Sequence, residues 1–226
     1  MQKFAVIVAG GSGTRMGHET PKQFLPVNGE PVLIHTVRAF KDVYDDLRII
    51  LVLPAAHMER GRQMIKEHFP GFNVTFAEGG KTRFESVRNG LSLAGDDSVI
   101  FVHDAVRCLV SKALIRACYE QALEKGSAIP VVPLKDSVRR LIPGGSEVIN
   151  REELRAVQTP QTFRSEILKK AFELPYQELF TDEATVVELA GWKVELIDGE
   201  ETNIKITYPS DLLVAEQFFS SNDLIF

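Results

Sequence analysis

Short apolar, β-branched runs alternate with longer segments of helical period through residues 4–132, and this rhythm constrains the fold most strongly. Residues 4–9 (FAVIVA), 48–53 (RIILVL), 73–77, 99–102 and 128–132 read as strands. Residues 31–40, 55–68, 83–93 and 111–125 read as helices, with Pro31 in the first turn of one and Ser111 capping another. Strands alternating with helices imply a mostly parallel sheet covered on both faces, with ligands at the carboxyl ends of its strands. A glycine-rich loop follows the first of these strands directly, and HDAVR (residues 103–107) follows the fourth. Both are therefore expected on one rim.

The rhythm breaks at Pro133. Two partly polar, alternating runs flank Pro143-Gly144-Gly145, the pattern of a β-hairpin, and the sheet has no evident place for it. Residues 133–156 are expected to project as an arm of the kind that exchanges with a partner subunit. Helices are then expected over residues 165–173, 182–189 (capped by Thr181 or Asp182) and 209–219, with a strand over 193–197. The expectation is an α/β, Rossmann-like single domain over residues 1–226, carrying one protruding hairpin arm.

Composition limits the chemistry. A net charge of −5 gives no global field for nucleic acid or an anionic membrane, so any phosphate must be met by locally placed cations. Cys108 and Cys118 lack metal-ligand spacing and suit a reducing compartment. The N-terminal apolar run is too short for a signal peptide, and no run reaches membrane-spanning length, so a cytoplasmic protein is expected.

The loop VAGGSGTRMGHETPKQF (residues 8–24) fits neither standard phosphate template. No Gly-Lys-Ser/Thr follows, and Met16 stands where a dinucleotide loop has its third glycine. Consecutive glycines still let backbone N–H groups approach an anion, and Arg15 and Lys22 add two cations, the latter stiffened by Pro21. That set suits a triphosphate and the charge that develops in nucleotidyl transfer. Asp104 is placed either to bind Mg²⁺ or a ligand hydroxyl, or to cap its loop with Arg107 as ion-pair partner. His103 reads as structural. In GGKTRFES, Gly80 offers backbone contacts while Arg83 and Ser86 open a helix. Lys205 alternates with Ile204 and Ile206, and its local sequence favours solvent over a cleft.

Taken in order, AGGSGTRMG, PKQFLPVNGEPVLIHT, GGKTRFESV, VHDAVR, KDSVRR, AVQTPQTF, FTDEA and NIKITYPSDL resemble the 2-C-methyl-D-erythritol 4-phosphate cytidylyltransferases of the non-mevalonate isoprenoid pathway. The resemblance spans roughly residues 5–215. It implies that the glycine loop wraps the triphosphate of CTP, that the 4-phosphate of methylerythritol phosphate attacks the α-phosphorus, and that pyrophosphate leaves. Arg15 and Lys22 would then stabilise the transition state, and Arg151 and Lys205 would position the attacking phosphate. Ala9, Gly10, Gly11, Ser12, Gly13, Gly80, Arg83, Ser86, Asp104 and Ala105 would bind the nucleotide. Asp104, Ser137, Thr181 and Asp182 would serve the second substrate, with Asp104 near Mg²⁺. The family's interlocked arms imply a homodimer in which Arg151 reaches the neighbouring site.

Two departures stand out: Val8-Ala9-Gly10-Gly11 where many members have Pro-Ala-Ala-Gly, and Cys108 where Pro usually follows the arginine. The nearest rival by motif is ribitol-5-phosphate cytidylyltransferase. A non-catalytic nucleotide-binding module is the rival from another class.

Overall fold

The computed structural model describes residues 1–10 and 20–220. Gly11, Ser12, Gly13 and Arg15 lie outside the described residues. The chain begins with β1 (Gln2–Val8), then the short β2 (Pro26–Val27) and β3 (Glu30–Pro31), which pair with each other. It continues through α1 (Val32–Lys41), β4 (Leu47–Leu53), α2 (Met58–His68), β5 (Val74–Glu78), α3 (Arg83–Leu91) and β6 (Ser98–Asp104). After α4 (Lys112–Lys125) and β7 (Ser127–Pro133) comes the hairpin of β8 (Val138–Ile142) and β9 (Gly145–Ile149). The last elements are β10 (Arg155–Val157), β11 (Gln161–Arg164), α5 (Ser165–Ala171), α6 (Glu183–Leu189), β12 (Leu196–Asp198) and α7 (Pro209–Ser220).

The main sheet runs β10-β7-β11-β6-β1-β4-β5, with β12 added on β7. Its centre is parallel, β6, β1, β4 and β5 all running one way. From β1 the chain steps outward to β4 and β5, then returns to the other side of β1 as β6. That reversal opens a crevice where the two neighbouring strands end, the usual ligand position in such sheets. Register puts Val8 opposite Asp104 across it, so the glycine loop and HDAVR leave the sheet side by side.

Alternation along the central strands divides the core. Ala5, Ile7, Ile49, Leu51, Leu53, Val99 and Phe101 face α1, α2 and α4, while Phe4, Val6, Ile50, Val52, Ile100 and Val102 face α3, α5 and α6. Burial on both sides is why RIILVL reads as an unbroken apolar run. α4 is capped as expected: Ser111 Oγ accepts from Leu114 N–H at 3.0 Å, and Gly126 closes the helix at φ 91°.

The structure departs from the sequence expectations at several points. Residues 55–57 form a 3₁₀ turn ahead of α2. β10 and β11 are antiparallel to their neighbours and were not anticipated, because each is only three or four residues long. The strand expected over 193–197 is shifted to Leu196–Asp198. The hairpin of β8 and β9 forms as expected, as a two-stranded sheet separate from the main sheet. No helix among the described residues is long and apolar enough to cross a membrane.

α3 approaches β1 and β4 through Gly90, where an added Cβ would stand 2.6 Å from Val6 Cγ1 and 3.0 Å from Val52 Cγ2. Both neighbours are β-branched and stiff. Gly90→Val is therefore expected to lower stability by about 1–3 kcal/mol through overpacking, measurable by urea unfolding. An unchanged midpoint would show that α3 can lift off the sheet freely.

Candidate active site

The rim crevice is walled by Ala9 and Gly10 after β1, by Lys22 and Gln23, by Gly80–Arg83 and Ser86 at the start of α3, by Asp104 and Val106 after β6, and by Lys205. Lys22, Lys81, Arg83 and Lys205 bring four cations to it, and among the described residues Asp104 is the one acidic side chain lining it. A cleft so charged selects a polyanion even on an acidic protein.

Local structure places each group. Thr82 caps α3 in a capping box, its side chain accepting from Glu85 N–H while Glu85 accepts from Thr82 N–H. The signal was present in the sequence as Thr-x-x-Glu. Gly80 N–H donates to Ser86 Oγ at 3.0 Å, and Ser86 Oγ–H donates to Thr82 O at 2.9 Å, so Ser86 braces the loop from the cleft wall. Gln23 Nε2 donates to Ala9 O at 2.9 Å and holds the first residue of the glycine loop. Lys22 is 9% exposed, and its ammonium donates to Ile206 O at 2.8 Å, beside Lys205 in the chain.

Asp104 is the electrostatic hub. Its carboxylate lies 2.9 Å from Lys205 Nζ, 3.3 Å from Arg83 Nη2 and 3.6 Å from Arg107 Nε. Burial alone would raise its pKa, but Arg83, Lys205 and Arg107 outweigh burial and hold the carboxyl well below the usual range. Behind it runs a buried relay. Burial lowers the His103 pKa to about 3, so the imidazole is neutral. Its Nε2 faces Arg107 O at 3.1 Å, a group that only accepts, which puts the proton on Nε2. Nδ1 then accepts from Thr159 Oγ at 3.0 Å, and Thr159 Oγ accepts from Asp104 N–H at 3.1 Å. His103 is structural, as its sequence setting suggests.

The late motifs lock onto this hub. Asn203 is fully buried, donates to Thr159 O at 2.8 Å, and its own carbonyl accepts from Arg107 Nη1 at 2.7 Å. Ile206 N–H donates to Val106 O at 2.9 Å. Residues 203–207 thus run along HDAVR without forming a strand, and Ile206 is buried while Lys205 turns into the cleft. The local expectation that Lys205 points to solvent is corrected: Asp104 draws it inward.

Other expected residues fall elsewhere. Ala105 is buried with its N–H on Val8 O and its carbonyl taken by Thr36, so it supports the rim without lining it. Ser137 is exposed at the base of the arm, and Thr181 is exposed just ahead of α6. Asp182 caps α6, accepting from Thr185 N–H at 2.9 Å, and also accepts from Gln161 Nε2 at 2.9 Å. Arg151 is exposed beyond the hairpin, donating to Lys135 O, and does not line the cleft of its own protomer. Sequence reasoning passed over Gln23, Lys81 and Glu183, which stands behind Arg83. Cys108 is buried, with its thiol pushed up to about 12, so it packs as a small apolar group where the family's proline usually sits.

A mostly parallel sheet with this cationic crevice at its switch point defines a nucleotidyltransferase-type fold. The chain belongs to the 2-C-methyl-D-erythritol 4-phosphate cytidylyltransferase family, whose model matches residues 3–221. The relative from Bacteroides fragilis with that name is 46% identical over 217 residues, covering 95% of this chain and 98% of that one. The relative of the same name from Porphyromonas gingivalis is 43% identical over 221 residues, covering 97% and 99%. Among solved structures, 4-diphosphocytidyl-2C-methyl-D-erythritol synthase from Anaerococcus prevotii superposes with TM-score 0.82 at 27% identity, covering 97% and 96%. The Thermus thermophilus cytidylyltransferase gives TM-score 0.75 at 32% identity, covering 96% and 98%.

Asp104 has a depressed pKa in the fold, so its ion pairs stabilise fully above the unfolded value of about 4 and lose their effect as pH falls below it. Asp104→Asn removes the counter-charge of Lys205 and Arg107 and leaves Arg83 with Glu183 alone, and is expected to cost about 2–3 kcal/mol at pH 7, less than a fully buried pair because Lys205 is 42% exposed. The gap between wild type and variant, followed by denaturant unfolding, should narrow as pH drops from about 5 toward 2. A gap independent of pH would contradict the ion-pair account.

Proposed function

We propose that this cleft transfers a cytidylyl group from CTP to 2-C-methyl-D-erythritol 4-phosphate, giving 4-diphosphocytidyl-2-C-methyl-D-erythritol and pyrophosphate. The observation that carries the reading, given the family, is that Lys22 and Lys205, from distant parts of the chain, line one cleft. Lys22 is anchored at Ile206 O and Lys205 at the neighbouring Asp104 carboxylate. In this reading Lys22 serves the donor phosphates and Lys205, beside the hub, serves the acceptor phosphate.

In this reading an oxygen of the 4-phosphate attacks the α-phosphorus of CTP, the α–β bridging bond breaks, and the electron pair leaves with pyrophosphate. Lys22 and Arg15 offset the negative charge growing on the triphosphate. Lys205 holds the acceptor phosphate in line, which converts a bimolecular encounter into an oriented one. Gly10 and Gly80 present backbone to the nucleoside, and Arg83 and Ser86 fix that wall. Ser137, Thr181 and Asp182 act on the methylerythritol side. Mg²⁺ fits as an ion carried by the phosphate oxygens, because among the described residues the one carboxylate lining the cleft is Asp104, already shared among three cations. Bound there, it would neutralise phosphate charge. The buried, unpaired cysteines support a reducing, cytoplasmic setting.

The homodimer is part of the same proposal. Arg151 does not line the cleft of its own protomer, and in this reading it holds the acceptor phosphate in a neighbour's cleft. On the arm, Leu141 is 85% and Val148 76% exposed, apolar surface that a second copy would cover.

Lys22→Ala is expected to lower kcat by about a hundredfold or more in a pyrophosphate-release assay with CTP and methylerythritol 4-phosphate. The variant should still unfold cooperatively, with a loss of stability much smaller than its loss of turnover. Unchanged turnover would refute the role of Lys22. Replacing Leu141 and Val148 together with Asp should convert a dimer to a monomer by light scattering and reduce turnover. A wild-type monomer at micromolar concentration would refute the shared-site arrangement.

A further inference from the structure

Glu183 is unused by the chemistry above, yet it is 1% exposed and carries an ionisable carboxyl into the interior. It is the first residue of α6. Its Oε1 accepts from Arg83 Nη1, while Arg83 Nη2 donates to Asp104 Oδ1 at 3.3 Å. Arg83 therefore bridges two carboxylates, one facing the cleft and one behind it. Glu183 Oε2 has no hydrogen-bond partner among the described residues. Folding alone gives no reason for that arrangement, because a half-satisfied buried carboxylate is less favourable than an apolar side chain of similar volume.

The geometry points to a positioning role: Glu183 holds the Arg83 guanidinium at the nucleotide wall and prevents it from closing on Asp104 with both nitrogens. Arg83 matches carboxylates in a bidentate fork, and Asp104 is its other partner. With Glu183 absent, the fork would turn fully onto Asp104, withdrawing Arg83 from the nucleotide wall and competing with Lys205 for Asp104 Oδ2. Burial works against the Arg83 charge, but Glu183 and Asp104 together keep it firmly protonated. Burial raises the pKa of Glu183, and the Arg83 cation opposes that rise.

This inference rests on CTP being the nucleotide, and its test separates the two. CTP binding is measured calorimetrically, without the second substrate, for wild type, Glu183→Gln, Glu183→Ala, Arg83→Ala and the double Ala variant. Glu183→Gln keeps the shape and one acceptor oxygen, so it remains informative if Glu183→Ala does not fold. The expected result is CTP binding weakened about tenfold in Glu183→Gln, the scale of a lost charge-assisted hydrogen bond. KM for CTP should rise in parallel, while kcat falls much less. In the Arg83→Ala background, Glu183→Ala should add no further loss, because it acts through Arg83. Equal CTP affinity in wild type and Glu183→Gln, or additive losses in the double variant, would overturn the inference while leaving CTP as the nucleotide. Wild-type protein that binds no CTP would overturn both.

Discussion

At the carboxyl end of β6 the carboxylate of Asp104 meets Lys205, Arg83 and Arg107, and each cation arrives from a different part of the chain. Arg83 comes from α3, Arg107 from the turn after β6, and Lys205 from the irregular segment ahead of α7. That carboxylate offsets the mutual repulsion of three like charges at one crevice. The β-strand register supplies its position, since Asp104 sits beside Val8 where β1 gives way to the glycine loop. Backbone topology and side-chain charge therefore meet at one residue.

Through its backbone N–H the hub is also tied to a relay of neutral groups. Asp104 N–H, Thr159, His103 and the Arg107 carbonyl form one directed chain of hydrogen bonds, which fixes the tautomer of His103. Asn203 ties the same region to the segment bearing Lys205. This relay adds no charge of its own, and the cations that line the cleft remain where a phosphate can meet them. Preorganised charge of this kind acts on a developing transition state without reorganising at the moment of reaction.

Much of the architecture was legible in the sequence because its driving pattern is local. RIILVL announces a strand buried on both faces, Ser111 caps its helix, and Pro143-Gly144-Gly145 turns the arm. β10 and β11 were not legible: both are short, and their pairing is set by distant strands, β11 lying between β6 and β7 and β10 pairing with β7 alone. In the cleft, Lys22, Gly80, Arg83, Asp104 and Lys205 were reached, but for Lys205 the local sequence pointed the wrong way. Its direction is set by Asp104, about a hundred residues away, and no nearby residue encodes it. Glu183 was hidden for the same reason. Its partner Arg83 is adjacent only in space, and a carboxylate at a helix start looks like an ordinary dipole partner.

The most direct test of the account is pyrophosphate release by the purified protein with CTP and Mg²⁺, offered 2-C-methyl-D-erythritol 4-phosphate and ribitol 5-phosphate in parallel reactions, with the product identified by mass. The account predicts turnover with methylerythritol phosphate and formation of its diphosphocytidyl product, with ribitol phosphate left unreacted. Turnover with ribitol phosphate alone would contradict the acceptor assignment, and inertness toward both would contradict cytidylyl transfer at this cleft.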